Sequence, residues 1–212
     1  MADLEGLKRQ ISTASDLQGV VKTMKGLAAV SIRQYERAVE ALAQYNRTIE
    51  LGFRILLAKN EGFLSALPRV RGKKRVAAVV LGSDQGMCGQ FNEQIVQRAV
   101  STLSELVEEP EMRVVVALGT RLVSRLEEEG ESVERVFSLP SSLSSINPLV
   151  QDLTELMHHW MLEDSCQEVW LFYNEHEKAA TFIPKEIKLL PLDEAWLKRV
   201  RGQVWPNKML PD

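Results

Sequence analysis

The residues best equipped for chemistry stand together in one short stretch, Gly82-Ser83-Asp84-Gln85-Gly86-Met87-Cys88-Gly89, between an apolar run and a helical pattern. A glycine-rich loop leading from a buried strand into a helix is where α/β proteins often bind phosphate, because free amides and the helix dipole converge there. This loop matches neither G-x-G-x-x-G nor G-x-x-x-x-G-K-[ST]. It offers no lysine to a phosphate, and its aspartate would repel one. It is not the G-x-S-x-G elbow of a hydrolase either, and no histidine stands at a recognisable strand end. The pattern therefore favours a tight, close-packed turn. Without a neighbouring histidine or second cysteine, Cys88 reads as a small buried residue rather than a reactive thiol.

The other candidates are weaker. His158 follows Glu155 by three residues on a helical pattern, which is half of a di-iron motif. Such a site needs a second copy and two further glutamates on facing helices, so these residues read as a solvated face. Cys88 and Cys166 are too few and too distant to form a disulfide framework, and no histidine joins them at metal spacing. No catalytic residue, cofactor or metal is expected.

The elements that would hold the loop follow from periodicity. Arg75–Gly82 is a continuous apolar run of the kind found in buried parallel strands, and a helix follows over residues 91–108. Strands are expected at 112–119 and 132–137, helices at 120–130 and 147–163, and two further strands at 168–174 and 182–189 joined by a turn at 175–181. That order predicts a doubly wound, Rossmann-like, three-layer α/β body with one antiparallel hairpin. Residues 193–212, with Trp196, Trp205 and Pro206, read as a tail without an assigned element.

Ahead of the body the pattern is different. From Leu4 to Lys59 there is no proline. Apolar or small residues recur at steps of three and four: Leu4, Leu7, Ile11, Ala14, then after one phase shift Leu17, Val21, Met24, Ala28, Ser31, Tyr35, Ala38, Leu42, Tyr45, Ile49, Gly52 and Leu56. This is a coiled-coil seam, and it predicts one helix about 80 Å long, projecting beyond the body. A seam of that length needs a partner, because an isolated helix draws most of its stability from burying such a face. No second heptad run is present, so another chain or segment is expected to supply it. Breaks at Gly19, Gly26 or Gly52 are the alternative, since glycine costs up to about 1 kcal/mol in a helix interior. The expected division is a shaft helix over 1–60, a basic connector over 61–75, the body over 76–192 and the tail over 193–212.

The chain has 212 residues, 45% of them apolar and 26% charged, enough for one good core and an appended element but not two full domains. No signal peptide or membrane-spanning run is seen, so a soluble protein made in the cytoplasm is expected. The net charge of −3 hides an asymmetry: residues 1–75 hold 14 Lys+Arg against 7 Asp+Glu, a balance of +7, and the remainder is strongly acidic. The basic front predicts an acidic partner. Nucleic acid would fit that charge, but the cations Lys8, Lys22, Lys25, Arg33, Arg37, Arg47 and Arg54 lie around the helix with no aromatic platform beside them.

Two stretches carry a family resemblance. Gln18, Lys22, Met24 and Ala28 match the amino-terminal helix pattern T-Q-K-I-T-K-A-M-x-M-V-A of F-type ATP synthase gamma subunits. Ser83–Asn92 is similar to that family's S-D-R-G-L-C-G-G-L-N, with Ser83, Asp84, Gly86, Cys88, Gly89 and Asn92 identical. The resemblance implies a central-stalk rotor without catalysis of its own, working against the alpha and beta subunits of the ATPase hexamer, the epsilon subunit and the membrane c-ring. It implies a peripheral place on the cytoplasmic face of the plasma membrane, and contact with the catalytic subunits through Lys22, Met24 and Lys25. It also implies a second long helix at the carboxyl end, which is not seen before Asp212. Gly19 stands for a lysine, Gly26 for a methionine and Gln85 for an arginine. The alternative is a coiled-coil adaptor or nucleic-acid-binding protein with a Rossmann-like body.

Overall fold

The computed structural model describes residues 2–59, 74–177, 181–192 and 194–202. Most of the expected connector, the tip of the expected turn at 175–181 and the end of the expected tail lie outside the described residues. The chain divides into two compact units, residues 1–52 and 53–212.

Helix α1 (Ala2–Lys59) accounts for all of the first unit that is described. It continues through Gly19, Gly26 and Gly52 without a break. Nothing lies within 4 Å of where a Cβ would stand at these glycines, so only their conformational freedom weighs against the helix. Hydroxyls that could compete with the helix join it instead: Thr13, Thr23, Ser31 and Thr48 each donate to the carbonyl four residues earlier, at 2.9–3.3 Å. The heptad series is open to solvent. Leu4, Leu7, Ile11, Leu17, Val21, Leu42 and Tyr45 are all at least half exposed.

The second unit is built on a five-stranded sheet of β1 (Val76–Leu81), β2 (Arg113–Leu118), β3 (Val133–Phe137), β4 (Glu168–His176) and β5 (Phe182–Leu190). The strand order is β3-β2-β1-β4-β5. The first four strands run parallel, with Val76 opposite both Arg113 and Glu168. β4 and β5 form an antiparallel hairpin, with Trp170 opposite Lys188 and His176 opposite Phe182. Both strands of the hairpin run further than the sequence pattern predicts, so the turn between them is shorter.

Helices cover both faces, which is why β1 and β2 read as unbroken apolar runs. On one face α2 (Phe91–Leu106) and α3 (Val123–Glu128) pack Ile95, Val96, Ala99, Leu103 and Leu126 against Val76, Ala78, Val80, Val115, Ala117 and Phe172. On the other, α4 (Ile146–Leu162) packs the fully buried Trp160 against the alternate set Ala77, Val79, Val114, Val116, Leu118 and Val169. Successive residues of a strand point to opposite faces, so a single apolar run feeds both cores.

Part of the tail is helical. α5 (Glu194–Gly202) buries Leu197 and Val200 against Leu57 in the last turns of α1, and the rings of Phe53 and Trp196 meet edge to face at 5.6 Å. Residues 53–59 of α1 thus belong to the same unit as the body.

Candidate functional site

Lys22, Met24 and Lys25 all lie on α1 and are exposed. At about 100° per residue, Lys22 and Lys25 share one side of the helix, while Met24 sits about 100° round from Lys25, on the seam. They therefore present a basic face and an apolar edge, not one patch. Gly19 leaves a notch on the helix flanked by Ser15, Val20, Thr23 and Met24, where the pattern it resembles would place a lysine.

The loop that follows β1 is braced on every side. Asp84 accepts the backbone N–H of Thr120 and that of Leu139, each at 2.7 Å, one on each carboxylate oxygen. It thereby ties the carboxyl ends of β1, β2 and β3 together. Asn92, buried at the start of α2, accepts the N–H of Ser83 at 3.0 Å and donates to Ser83 Oγ at 2.9 Å. Ser83 Oγ passes the chain on to the Gln85 carbonyl at 2.8 Å. The Cys88 Sγ stands 3.5 Å from both Ser83 Oγ and Asn92 Nδ2. Cys88 is only partly buried, contrary to the expectation of a buried residue, because the loop beyond Asp84 lies at the surface. Met87 is held at φ 60 and is 78% exposed.

Close packing accounts for one of the loop's glycines. A Cβ on Gly82 would lie 2.4 Å from Leu122 Cγ and 2.6 Å from Asn92 Oδ1. The sequence alone does not point to Gly119, whose φ of 110 and contact with the Ser83 backbone make it the other half of this approach. The amides of Thr120 and Leu139 are likewise invisible in a one-dimensional pattern. The loop's polar groups are thus spent on one another. The Ser83 amide and both Asp84 oxygens are taken, and no histidine or lysine is among their partners. Among the described residues no group of three or more histidine, cysteine, aspartate or glutamate side chains could hold a metal. Glu155 and His158 are exposed on α4. Burial pushes the Cys166 thiol up to about 11 against the pull of Arg75, so it stays protonated.

Comparison with known proteins gives the family to which this loop and long helix belong. The family model described as ATP synthase matches residues 3–211. The chain belongs to the ATP synthase gamma family. It is 27% identical to the ATP synthase gamma chain of Desulforamulus reducens over 198 residues, 91% of this chain and 66% of that one. It is 26% identical to that of Desulfitobacterium hafniense, covering 92% and 68% respectively, and 29% identical to that of Rubrobacter xylanophilus, covering 90% and 64%. The chain thus spans about two thirds of the length of these gamma-chain relatives. The central stalk and c-ring structure of Tetrahymena thermophila mitochondrial ATP synthase contains a chain matching at a TM-score of 0.49 and 18% identity, over 72% of this chain and 64% of that one.

Within this gamma-family body, Asp84 carries a testable energetic role. Burial raises its carboxyl pKa, but the amides of Thr120 and Leu139, helped by the Thr120 hydroxyl, outweigh that and hold it below its ordinary value of 3.8. Asp84→Ala is expected to destabilise the body by about 2 kcal/mol at neutral pH, the scale of losing hydrogen bonds to a charged group. A group whose folded pKa is depressed stabilises above its unfolded pKa and loses that contribution as pH falls through the folded value. Urea midpoints of the two proteins should therefore differ at pH 7 and converge below about pH 4. A difference that persists unchanged in acid would refute the charge-based account.

Proposed function

We propose that this gamma-family chain serves as the central-stalk rotor of an F-type ATP synthase, coupling ion flow through a membrane ring to ATP synthesis or hydrolysis in a catalytic hexamer without catalysing either itself. One observation carries the reading: a chain matching the gamma family over residues 3–211 has a 58-residue helix whose heptad series is exposed. Such a helix stays folded in water only if that stripe is covered. The next longest helix among the described residues, α4, has 17 residues and spends its apolar face on the sheet. The packing of α5 on Leu57 supports a helical pair at the base of α1.

The mechanism is mechanical. A stiff, asymmetric shaft binds the conformers of the surrounding subunits unequally, so turning it shifts each through its states in order, with no reactive group needed. The braced loop after β1 supplies rigidity in the body. The basic face at Lys22 and Lys25 faces acidic surfaces of the alpha and beta subunits, Met24 packs on their apolar collar, and the body sits against the epsilon subunit and the c-ring. That places the chain peripherally on the cytoplasmic face of the membrane. No helix among the described residues is long and apolar enough to cross it.

Size-exclusion chromatography with light scattering, on the chain mixed with alpha and beta subunits from the same source, tests the reading. One copy per hexamer is the expected result; a chain that stays apart from a hexamer would overturn it. Met24→Ala with Lys25→Glu is expected to weaken that complex about tenfold or more, since it removes an apolar contact and reverses a charge. Unchanged affinity would remove these two residues from the interface.

A further inference from the structure

β5 ends the sheet: one edge pairs with β4, and the other has no strand beside it among the described residues. An uncovered edge presents the outward N–H and C=O groups of alternate residues to any chain that can lie along it. At the carboxyl half of this strand lies a cleft of about 730 Å³, lined by residues 186–189 of β5 and by Ala195, Trp196 and Arg199 of α5. Trp170 and Leu192 complete it. A groove between an edge strand and a helix is a recurring way to hold an extended peptide.

The charges choose the occupant. Glu186, the carboxylate among the described lining residues, is gripped by both arms of the Arg98 guanidinium. Arg98 lowers its pKa and keeps it ionised and occupied. Lys188 and Arg199 have no ion pair among the described residues, and both stand in the lining with two indoles, those of Trp170 and Trp196. A second copy of β5 is disfavoured, because Lys185 and Lys188 would repeat on both strands, the device by which edges avoid pairing with themselves. Pro184 has no N–H to give, which limits any added strand to the carboxyl half of β5, where the cleft lies.

We propose that this cleft is a docking groove for an extended acidic segment of a partner protein, which joins the sheet as a sixth strand beside β5.

Fluorescence anisotropy on the intact chain, with three labelled nonapeptides, tests this. One alternates glutamate with valine, one alternates lysine with valine, and one is the acidic peptide with proline at alternate positions. The acidic peptide should bind at least about tenfold more tightly than the basic one, and the double variant Lys188→Glu/Arg199→Glu should cancel that preference. Should the double variant fail to fold by circular dichroism, Arg199→Glu alone carries the same comparison. Binding should also slow amide exchange within residues 186–189, and the proline peptide should neither bind as tightly nor protect. Equal affinity for both charges, affinity retained by the variants, or no binding of the acidic peptide would each overturn the proposal. Tight binding of the proline peptide without protection would overturn the strand-addition geometry.

Discussion

Replacing Glu131 by alanine is expected to cost the body about 3–5 kcal/mol, because it leaves a guanidinium buried without its counter-charge. Glu131 and Arg113 are paired with only 2% and 7% of their side chains exposed. The arginine does more than pair: its Nε donates to the Val107 carbonyl and its Nη2 to the Glu108 carbonyl, each at 2.9 Å. One side chain at the start of β2 thus gathers the chain leaving α2 and the residue that precedes β3. The bond from Arg113 Nη1 to Glu131 neutralises the group that does so. Urea unfolding followed by tryptophan fluorescence, with Trp160 and Trp170 in the body, would read the loss as a lower midpoint at unchanged slope. Removing both charges, as Arg113→Met with Glu131→Leu, should recover much of it, since a buried ion pair often barely exceeds an apolar substitute. A single variant as stable as the parent would show that water already reaches the pair.

Gly119→Ala is expected to be about as damaging, by roughly 3–5 kcal/mol, from two causes that add. The backbone there has φ 110, which a side chain makes costly, and the new Cβ would stand 2.8–2.9 Å from three backbone atoms of Ser83. Backbone does not yield as the end of a side chain does. Because the next residue, Thr120, gives its N–H to Asp84, a shift at 119 also loosens the carboxylate bridge. Gly86→Ala is the matched control: no atom lies within 4 Å of its Cβ position and its φ is ordinary, so the change should be neutral or slightly stabilising. If both substitutions behaved alike, the close approach of the two loops would not be what holds this end of the sheet.

These two cases mark where the sequence could and could not be read. Long elements with a strong period were legible. The proline-free heptad series is one helix, and the apolar runs at β1 and β2 are central strands, because period and burial are properties of neighbours in the chain. The hairpin was legible in kind, though its strands extend to His176 and Leu190. The tail was not: the packing of Leu197 and Val200 on Leu57 joins residues about 140 positions apart, and a nine-residue helix has too short a period to stand out.

The loop after β1 shows the same division within one site. Its residue types revealed a turn and argued against a phosphate cradle, since the lysine such a cradle uses is lacking and a carboxylate stands in the way. What the carboxylate does instead depends on Thr120 and Leu139, 36 and 55 positions away. Arg113 and Glu131 gave no signal either, since charged residues at a strand start and after a helix are ordinary at the surface.

The class of the molecule was readable from the chain: a long amphipathic helix, a doubly wound α/β body and a gamma-type motif pair. Those properties rest on period, composition and short spacings, which survive without knowledge of the fold. Which polar groups are spent on bracing, which glycines are obligatory, which ion pair is buried and which strand edge is open among the described residues emerged from the fold alone. Each of these depends on atoms brought within a few ångströms by elements far apart in the chain, and no local pattern encodes that distance.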